Sequence, residues 1–322
     1  MKLSLRVLRY FVTAADHGSV TAAARTLRIS QPTISLAIGQ IEDELGVELF
    51  VRRHARGIAL TPAGTQVLRE ARKLLANADD FMAAASETGA PERGVLQLGC
   101  LSYLAPRFLG ALLRETAVHH PGIEIEILEG GHDELVEELS SGRIEVALTY
   151  DLLLTDRLRT RQLLELPPYL LVPARHRLVR RGAVYLREII EEPCILLDLP
   201  ISQDYFGSLF GGLGLRPNVR HRSKSVETVR SLVANGLGYT ILNQIAKSTA
   251  TYDGRSVRAI ALLDDLRPAR VVAAYLAGTR PRPVAELFAG FCSEHFHQVG
   301  ALPPKPMTCL PFLPPVGVRV RP

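Results

Sequence analysis

Ile34, Ile38, Ile41 and Leu45 recur at spacings of four, three and four residues, so a helix through them buries one continuous stripe. This stripe constrains the chain more than any other feature, because its flanks define both ends. Ser30 is a good N-cap, and Pro32 is tolerated in the first turn, where its missing N–H has no intrahelical partner. Gly46 can close the helix in a left-handed cap. Upstream, Leu5, Leu8, Phe11, Val12 and Ala15 share one helical face, Gly18 ends that helix, and Ser19 or Thr21 can cap the next. Ala22, Ala23 and Leu27 give the second helix a small apolar inner face. Two short helices, a tight turn and a third helix form a helix-turn-helix. Val47, Leu49 and Phe50 then precede the basic run Arg52-Arg53-His54-Ala55-Arg56-Gly57, followed by Ile58 and Leu60. Two short strands around that turn would make a wing. Gly39, inside the third helix, costs about 1 kcal/mol relative to alanine; close approach of a neighbouring backbone is one reading of it.

The charge is placed to match. Of the net +5, residues 1–60 hold eight Lys and Arg against five acids, and the body from 94 to 298 is neutral. A basic end on a neutral body suits a polyanion partner, although an excess of this size is common. No stretch is apolar for the roughly 18 residues a membrane span needs, and the N-terminus lacks the apolar core of a signal peptide. The expected location is therefore the cytoplasm, with no membrane partner. Cys100, Cys194, Cys292 and Cys309 are far apart, without C-x-x-C or metal-ligand spacing. They read as reduced, mostly buried thiols, with no basic flank to activate one as a redox sensor.

With 322 residues the chain is long enough for two or three domains. Thr61 and Pro62 open a helix that can run to about Thr88, roughly 40 Å at 1.5 Å per residue. Val67, Leu68, Leu74, Leu75, Ala78, Phe81, Met82 and Ala85 form an apolar band on it. The band can pack on its own chain or form a dimer seam, and the seam is favoured. Residues 89–94 read as a linker. From 94 to 298 strands and helices alternate, the pattern of an α/β domain with mostly parallel sheets. Strands are expected at 95–100, 124–129, 144–149, 169–172, 195–198, 219–222, 239–242, 257–261 and 270–276. Helices are expected at 104–116, 135–140, 203–211, 226–234 and 284–298. Pro167-Pro168 and the Pro268 region mark two chain crossings, hence two lobes, 94–166 plus 268–298 and 169–267. The tail, 299–322, has seven prolines in 24 residues and reads as extended or disordered.

The run GSVTAAARTLRISQPTISLAIGQIEDELGVELFVRRHARGIALTPAG, Gly18 to Gly64, resembles the N-terminal winged helix of the LysR-type transcriptional regulators. The resemblance rests on the small residues of the second helix and Ser30-Gln31-Pro32 opening the third. It rests also on Glu44-Leu45-Gly46-Val47 with Leu49-Phe50 after it, and on Leu60-Thr61-Pro62-Ala63-Gly64 at the linker helix. PGIEIEILEGGHDELVEELSSGRIEVALTYD, Pro121–Asp151, resembles the first effector lobe of that family, and SVETVRSLVANGLGYTIL, Ser225–Leu242, the second. The resemblance covers about 1–298 and leaves out the proline-rich tail. It implies an α+α/β chain: a winged helix-turn-helix at 1–60, a linker and dimerisation helix at 61–88, and a two-lobed α/β effector domain of periplasmic-binding-protein type at 94–298. It implies a homodimer or homotetramer that binds double-stranded promoter DNA and a small effector, with RNA polymerase a candidate further partner.

The third helix would then enter the major groove with its first turn, because the isoleucine stripe is buried. Gln31 can pair bidentately with adenine, and Thr33 can hydrogen-bond or touch a thymine methyl. Ser30, Pro32 and Ser35 complete that surface, and Arg52, Arg53 and Arg56 on the wing would neutralise phosphates or enter the minor groove. Leu36 stands where family members often carry arginine or histidine, and it cannot make that polar contact. A two-lobed domain holds its ligand beyond the carboxyl ends of its strands. Those ends carry Ser102 and Tyr103, Thr149 and Tyr150, Ser202 and Tyr205, and Asn243 and Gln244. Ser102 and Ser202 are expected at helix N-termini, where an anion is favoured, or as simple caps. A small organic acid is the expected effector.

Other chemistry finds little support. Gly211-Gly212-Leu213-Gly214 ends a helix rather than starting one, and the histidines lack a paired metal motif. No nucleophile motif is present. No catalytic residue, cofactor or metal site is expected. A plain solute-binding module would leave residues 1–60 without a role, and an enzyme would lack a catalytic constellation.

Overall fold

Each of the first three helices starts at a serine and stops at a left-handed residue. α1 (Leu5–His17) begins where the Ser4 hydroxyl accepts the N–H of Val7 and ends at Gly18, φ 58°. α2 (Val20–Leu27) begins where Ser19 accepts the N–H of Ala22, so Ser19 rather than Thr21 is the cap, and it ends at Arg28. α3 (Gln31–Leu45) begins where Ser30 accepts the N–H of Thr33 and ends at Gly46, φ 68°. This architecture comes from a computed structural model, which describes residues 3–53, 57–86, 94–152, 157–244, 246–278 and 281–300.

Arg28 is the one non-glycine residue with positive φ, 56°, among the described residues. The left-handed conformation costs an L-residue about 1–2 kcal/mol, which the packing around the tight turn between α2 and α3 must offset. Two apolar clusters do so. Ala14, Ala23, Ala24, Ile34 and Ile38 lock the three helices together. Leu8, Phe11, Ile41, Leu49, Leu68 and Ala71 join them to the next elements. The alanines of α2 let the helices close on each other; a larger side chain there would hold them apart.

β1 (Phe50–Arg53) and β2 (Gly57–Leu60) pair antiparallel, Phe50 opposite Leu60 and Arg53 opposite Gly57. The Glu42 carboxylate of α3 accepts the N–H groups of Leu49 (2.7 Å) and Phe50 (3.3 Å), tying the hairpin to the helix. Gly57 has φ 84°, and a Cβ there would lie 2.4 Å from the carbonyl oxygen of Gly18, so this contact admits only glycine. Gly39 is different. A Cβ there would meet nothing within 4 Å, so close approach inside the chain does not explain it.

α4 (Pro62–Ser86) follows, with the Thr61 hydroxyl accepting the N–H of Gly64 at 2.8 Å and donating to the Glu48 carbonyl at 2.6 Å. The apolar band divides between two faces. Val67, Leu68, Ala71 and Leu75 pack into the winged-helix core. Leu74, Phe81 and Met82 are 47%, 70% and 64% exposed.

The five-stranded sheet has the order β4-β3-β5-β13-β6, from β3 (Gly94–Leu101), β4 (Ile123–Gly130), β5 (Val146–Tyr150), β6 (Leu158–Leu166) and β13 (Ala269–Leu276). β3 is parallel to β4 and β5, whereas β13, which brings the chain back after its second crossing, runs antiparallel to β5. α5 (Ala105–His119), α6 (His132–Ser141) and α9 (Pro283–Gly300) accompany this sheet. Leu135, Leu139, Ile144, Ala147, Val272 and Ala274 form one of its cores.

A second set of strands runs β11-β7-β12-β8, from β7 (Tyr169–Pro173), β8 (Ala183–Val184), β11 (Thr240–Leu242) and β12 (Val257–Leu262). β9 (Pro193–Leu197) and β10 (Asn218–Ser223) form a parallel pair, and a parallel bridge from Cys194 to Tyr239 extends it. α7 (Pro200–Gly212) and α8 (Val226–Ala234) belong with these strands. β7 pairs antiparallel with both neighbours. The sheets are therefore mixed, which corrects the expectation of mostly parallel pairing: a chain that crosses twice brings strands back in the opposite sense.

β6 and β8 carry no alternation strong enough to be read from sequence. β6 lies at the sheet edge with Arg159, Thr160, Arg161 and Gln162 exposed, so its sequence shows no buried face. Two compact units result, Met1–Leu163 with Val271–His295, and one built on Leu164–Arg270. Cys100, Cys194 and Cys292 are free and buried. Burial pushes the thiols of Cys100 and Cys194 up to about 12 and that of Cys292 higher still, away from the reactive thiolate. Cys309 and the rest of the tail from 301 lie outside the described residues. No helix among the described residues is long and apolar enough to cross a membrane.

Candidate nucleic-acid interface and effector pocket

α3 turns its first two turns outward. Ile34, Ala37, Ile38 and Ile41 are buried, while Ser30, Gln31, Pro32, Thr33, Ser35 and Leu36 are exposed. Leu36 is 75% exposed, a large apolar side chain with no place in the core. The Ser30 and Thr33 hydroxyls lie 2.7 Å apart, so the cap is built before any ligand arrives. Thr21 of α2 donates to the side-chain oxygen of the exposed Gln31 at 3.3 Å, which orients the amide. Arg28, in the turn before α3, adds an exposed cation that no sequence pattern singles out; its signal is visible only as positive φ. Arg52 and Arg53 lie on β1 of the wing, and Arg56 lies outside the described residues.

In the first unit three strand ends converge. β3 ends at Leu101 and leads into Ser102 and Tyr103, β4 ends at Gly130, and β5 at Thr149 and Tyr150. Tyr103 and Tyr150 place their ring centroids 6.2 Å apart. Ser102 is exposed, but it lies in a turn two residues ahead of Leu104, the N-cap of α5. Its N–H donates to the Gly130 carbonyl at 3.0 Å, so the hydroxyl, not the amide, is what Ser102 can offer. Thr149 is buried, with its hydroxyl 3.5 Å from Nδ1 of His132. His132, the first residue of α6, is only 8% exposed and escapes sequence reading, because one histidine beside two glycines carries no pattern.

In the second unit the ends of β9, β10 and β11 likewise converge. Asp198 accepts from Arg222 at 3.3 Å, and its N–H donates to the Ser223 carbonyl. Ser202 is the third residue of α7, whose N-cap is Leu199, so it lies in the first turn and is not the cap. Tyr205 is buried and donates its hydroxyl to the Arg267 carbonyl at 2.8 Å. Asn243 is buried directly after β11, and the Gln244 carbonyl accepts the Tyr169 hydroxyl at 2.8 Å. Among the described residues no group of His, Cys, Asp or Glu could hold a metal ion.

A winged helix on a basic end, followed by α/β lobes with polar strand ends, defines a DNA-binding protein fused to a ligand-binding domain. Residues 5–65 match the bacterial regulatory helix-turn-helix of the lysR family, and residues 89–297 match the LysR substrate binding domain. The chain belongs to the LysR family of bacterial transcriptional regulators, so it is a DNA-binding regulator rather than an enzyme. It is 28% identical to the HTH-type transcriptional regulator AlsR of Bacillus subtilis, over 78% of this chain and 84% of that relative. HinK, a LysR family transcriptional regulator from Pseudomonas aeruginosa, is 36% identical, with a TM-score of 0.63 over 92% of this chain and 100% of that one. A full-length OxyR variant from Pseudomonas aeruginosa, 22% identical with a TM-score of 0.70 over 92% of this chain and 95% of that one, shares the fold.

Proposed function

We propose that the chain regulates transcription by reading promoter DNA through the first two turns of α3 and by answering a small organic acid held at strand ends. The observation that carries the DNA half is the division of α3. One side is buried isoleucine, and the other presents Gln31, Thr33, Ser35 and Leu36 to solvent. Base edges would be read there, while Arg28, Arg52, Arg53 and Arg56 supply the phosphate contacts that position the domain. Binding to DNA upstream of its own and neighbouring genes, with excess nonspecific competitor and a salt series, tests the reading. A footprint over two half-sites a whole number of helical turns apart, roughly 10 base pairs each, supports it. Binding that competitor abolishes would leave the winged helix as a source of charge alone.

Leu36 supplies apolar readout in place of a polar contact. It can cover a thymine methyl group, whose burial is worth about 0.8 kcal/mol, or about fourfold in affinity. Uracil in place of thymine at the contacted position is expected to weaken wild-type binding by that factor and to leave Leu36→Ala unaffected. Equal loss in both proteins would remove Leu36 from readout.

The effector half is supported by the strand ends of the first unit, where Thr149, Tyr150 and His132 form a buried floor and the exposed Ser102 and half-buried Tyr103 stand at its rim, offering hydroxyl and imidazole groups. Ser202, Tyr205, Asn243 and Gln244 of the second unit are candidates on their own account. A hydrogen bond to a charged ligand is worth roughly 1.5–3 kcal/mol, so Thr149→Val is expected to weaken an organic acid about tenfold or more. Calorimetric titration with a panel of organic acids checks this, and tight binding of a neutral ligand with no acid bound would overturn it. Leu74, Phe81 and Met82 support pairing of α4 with a second copy, because they expose a large apolar surface along one helix. A dimer or tetramer would then convert effector preference for one assembly into a change of DNA spacing.

A further inference from the structure

A cavity of about 510 Å³ lies wholly within the first compact unit, where α4 meets the five-stranded sheet and α6. Its size falls in the range of small-molecule sites. On one side Arg69, Arg72, Lys73, Ala76 and Asp79 recur at helical spacing on one face of α4. On the other stand the apolar side chains of Leu139, Ile144, Leu276 and Pro281. Most of the charge in its walls is already committed. Arg72 pairs with Asp16 and donates to the Ser141 carbonyl at 2.8 Å. Arg143 lies 2.8 Å from Glu138, and Arg282 is 2.5 Å from Glu145.

Lys73 is the exception. It is half-buried at the cavity, yet it has neither an ion pair nor a hydrogen bond with a described residue. Arg69 beside it pairs with its exposed neighbour Glu70, at 3.4 Å. The walls carry Arg69, Arg72, Lys73, Arg143 and Arg282 against Asp16, Asp79 and Glu145, an excess of positive charge beside apolar side chains, and an ammonium without a counter-ion there favours an anion that brings its own apolar body. The cavity also survives pairing of the linker helices. At 3.6 residues per turn, Leu74, Phe81 and Met82 point on average away from the side of α4 that carries Arg69, Lys73 and Ala76.

We propose that this junction cavity is a second ligand site, for a small organic anion with an apolar body whose charged group pairs with Lys73 and Arg69. The site is separate from the strand ends of the effector lobe and does not rest on the reading of those residues. Its ligand would touch α4 and the sheet at once, so occupancy would bear on how the DNA-binding part is held.

Calorimetric titration of the full-length protein with 2-naphthoate and with neutral 2-naphthamide separates charge from shape. Lys73→Met keeps the stem and removes the charge; it is expected to weaken 2-naphthoate about tenfold or more and to change 2-naphthamide less than about twofold. Ala76→Trp, which fills the cavity, is expected to weaken both probes. No 2-naphthoate binding by the wild-type protein at millimolar concentration overturns the proposal, as does equal binding by wild type and Lys73→Met. Binding that Thr149→Val removes and Lys73→Met leaves intact belongs to the strand-end pocket, and it also overturns the proposal.

Discussion

Alanine at Phe11 is expected to destabilise the winged helix by about 3–5 kcal/mol and to abolish DNA binding with it. Phe11 is fully buried in the cluster that joins α1 to α3, the Leu49 segment and α4. Its ring meets Phe50 edge-to-face at 5.5 Å, so the change also removes an aromatic pair. The cluster around it, chiefly leucine and isoleucine with Ala71, is already packed between four elements and can collapse only partly into the space. Against a total stability of roughly 5–15 kcal/mol for a domain, the loss is a large fraction. Chemical denaturation followed by circular dichroism, beside a DNA titration, measures both effects. Leu36→Ala is the control: at an exposed position away from the core it should change stability by less than about 0.5 kcal/mol. A Phe11→Ala protein with wild-type stability would show that the cluster is looser than its burial indicates.

The second large effect is expected at Gln31. Alanine there should cost about 1–3 kcal/mol of discrimination, roughly five- to 150-fold, between the operator and a copy changed at the contacted base. Nonspecific affinity and its salt slope should stay as they were, because phosphate contacts supply those terms. Thr21, which donates to the Gln31 side chain, would hold the amide in place for the reading proposed for it. Thr21→Val is therefore expected to give a weaker version of the same loss. Competition binding with single-base operator variants reads the result. A uniform fall across all sequences would assign Gln31 to the phosphate backbone instead.

The winged helix was legible because its signals are local. Ser4, Ser19 and Ser30 sit at helix starts, Gly18 and Gly46 at helix ends, and the isoleucine stripe repeats at the helical period. Most strands of the lobes were legible for the same reason, since the strands buried in the sheets read as short apolar runs. β6 was not, because an edge strand with an exposed face need not alternate. The outward residues of α3, proposed to face DNA, were found by subtraction from the buried stripe. The surroundings of the residues proposed to hold an effector were only half legible. A strand end can be located from sequence, but whether Ser102 caps its helix or Tyr205 spends its hydroxyl inward depends on neighbours distant in the chain.

By itself the sequence determined whatever a spacing of three to five residues can set: the helices, their caps, the buried face of α3 and the family resemblance those motifs carry. Tertiary structure alone decided three matters. It set the apolar band of α4 on two faces, placed His132 against Thr149 from 17 residues away, and left Lys73 without a counter-ion among the described residues beside a cavity. The physical reason is one of range. Helix periodicity and capping are set by hydrogen bonds to the nearest turn, whereas burial, pairing of charge and the shape of a cavity depend on which distant segments pack together.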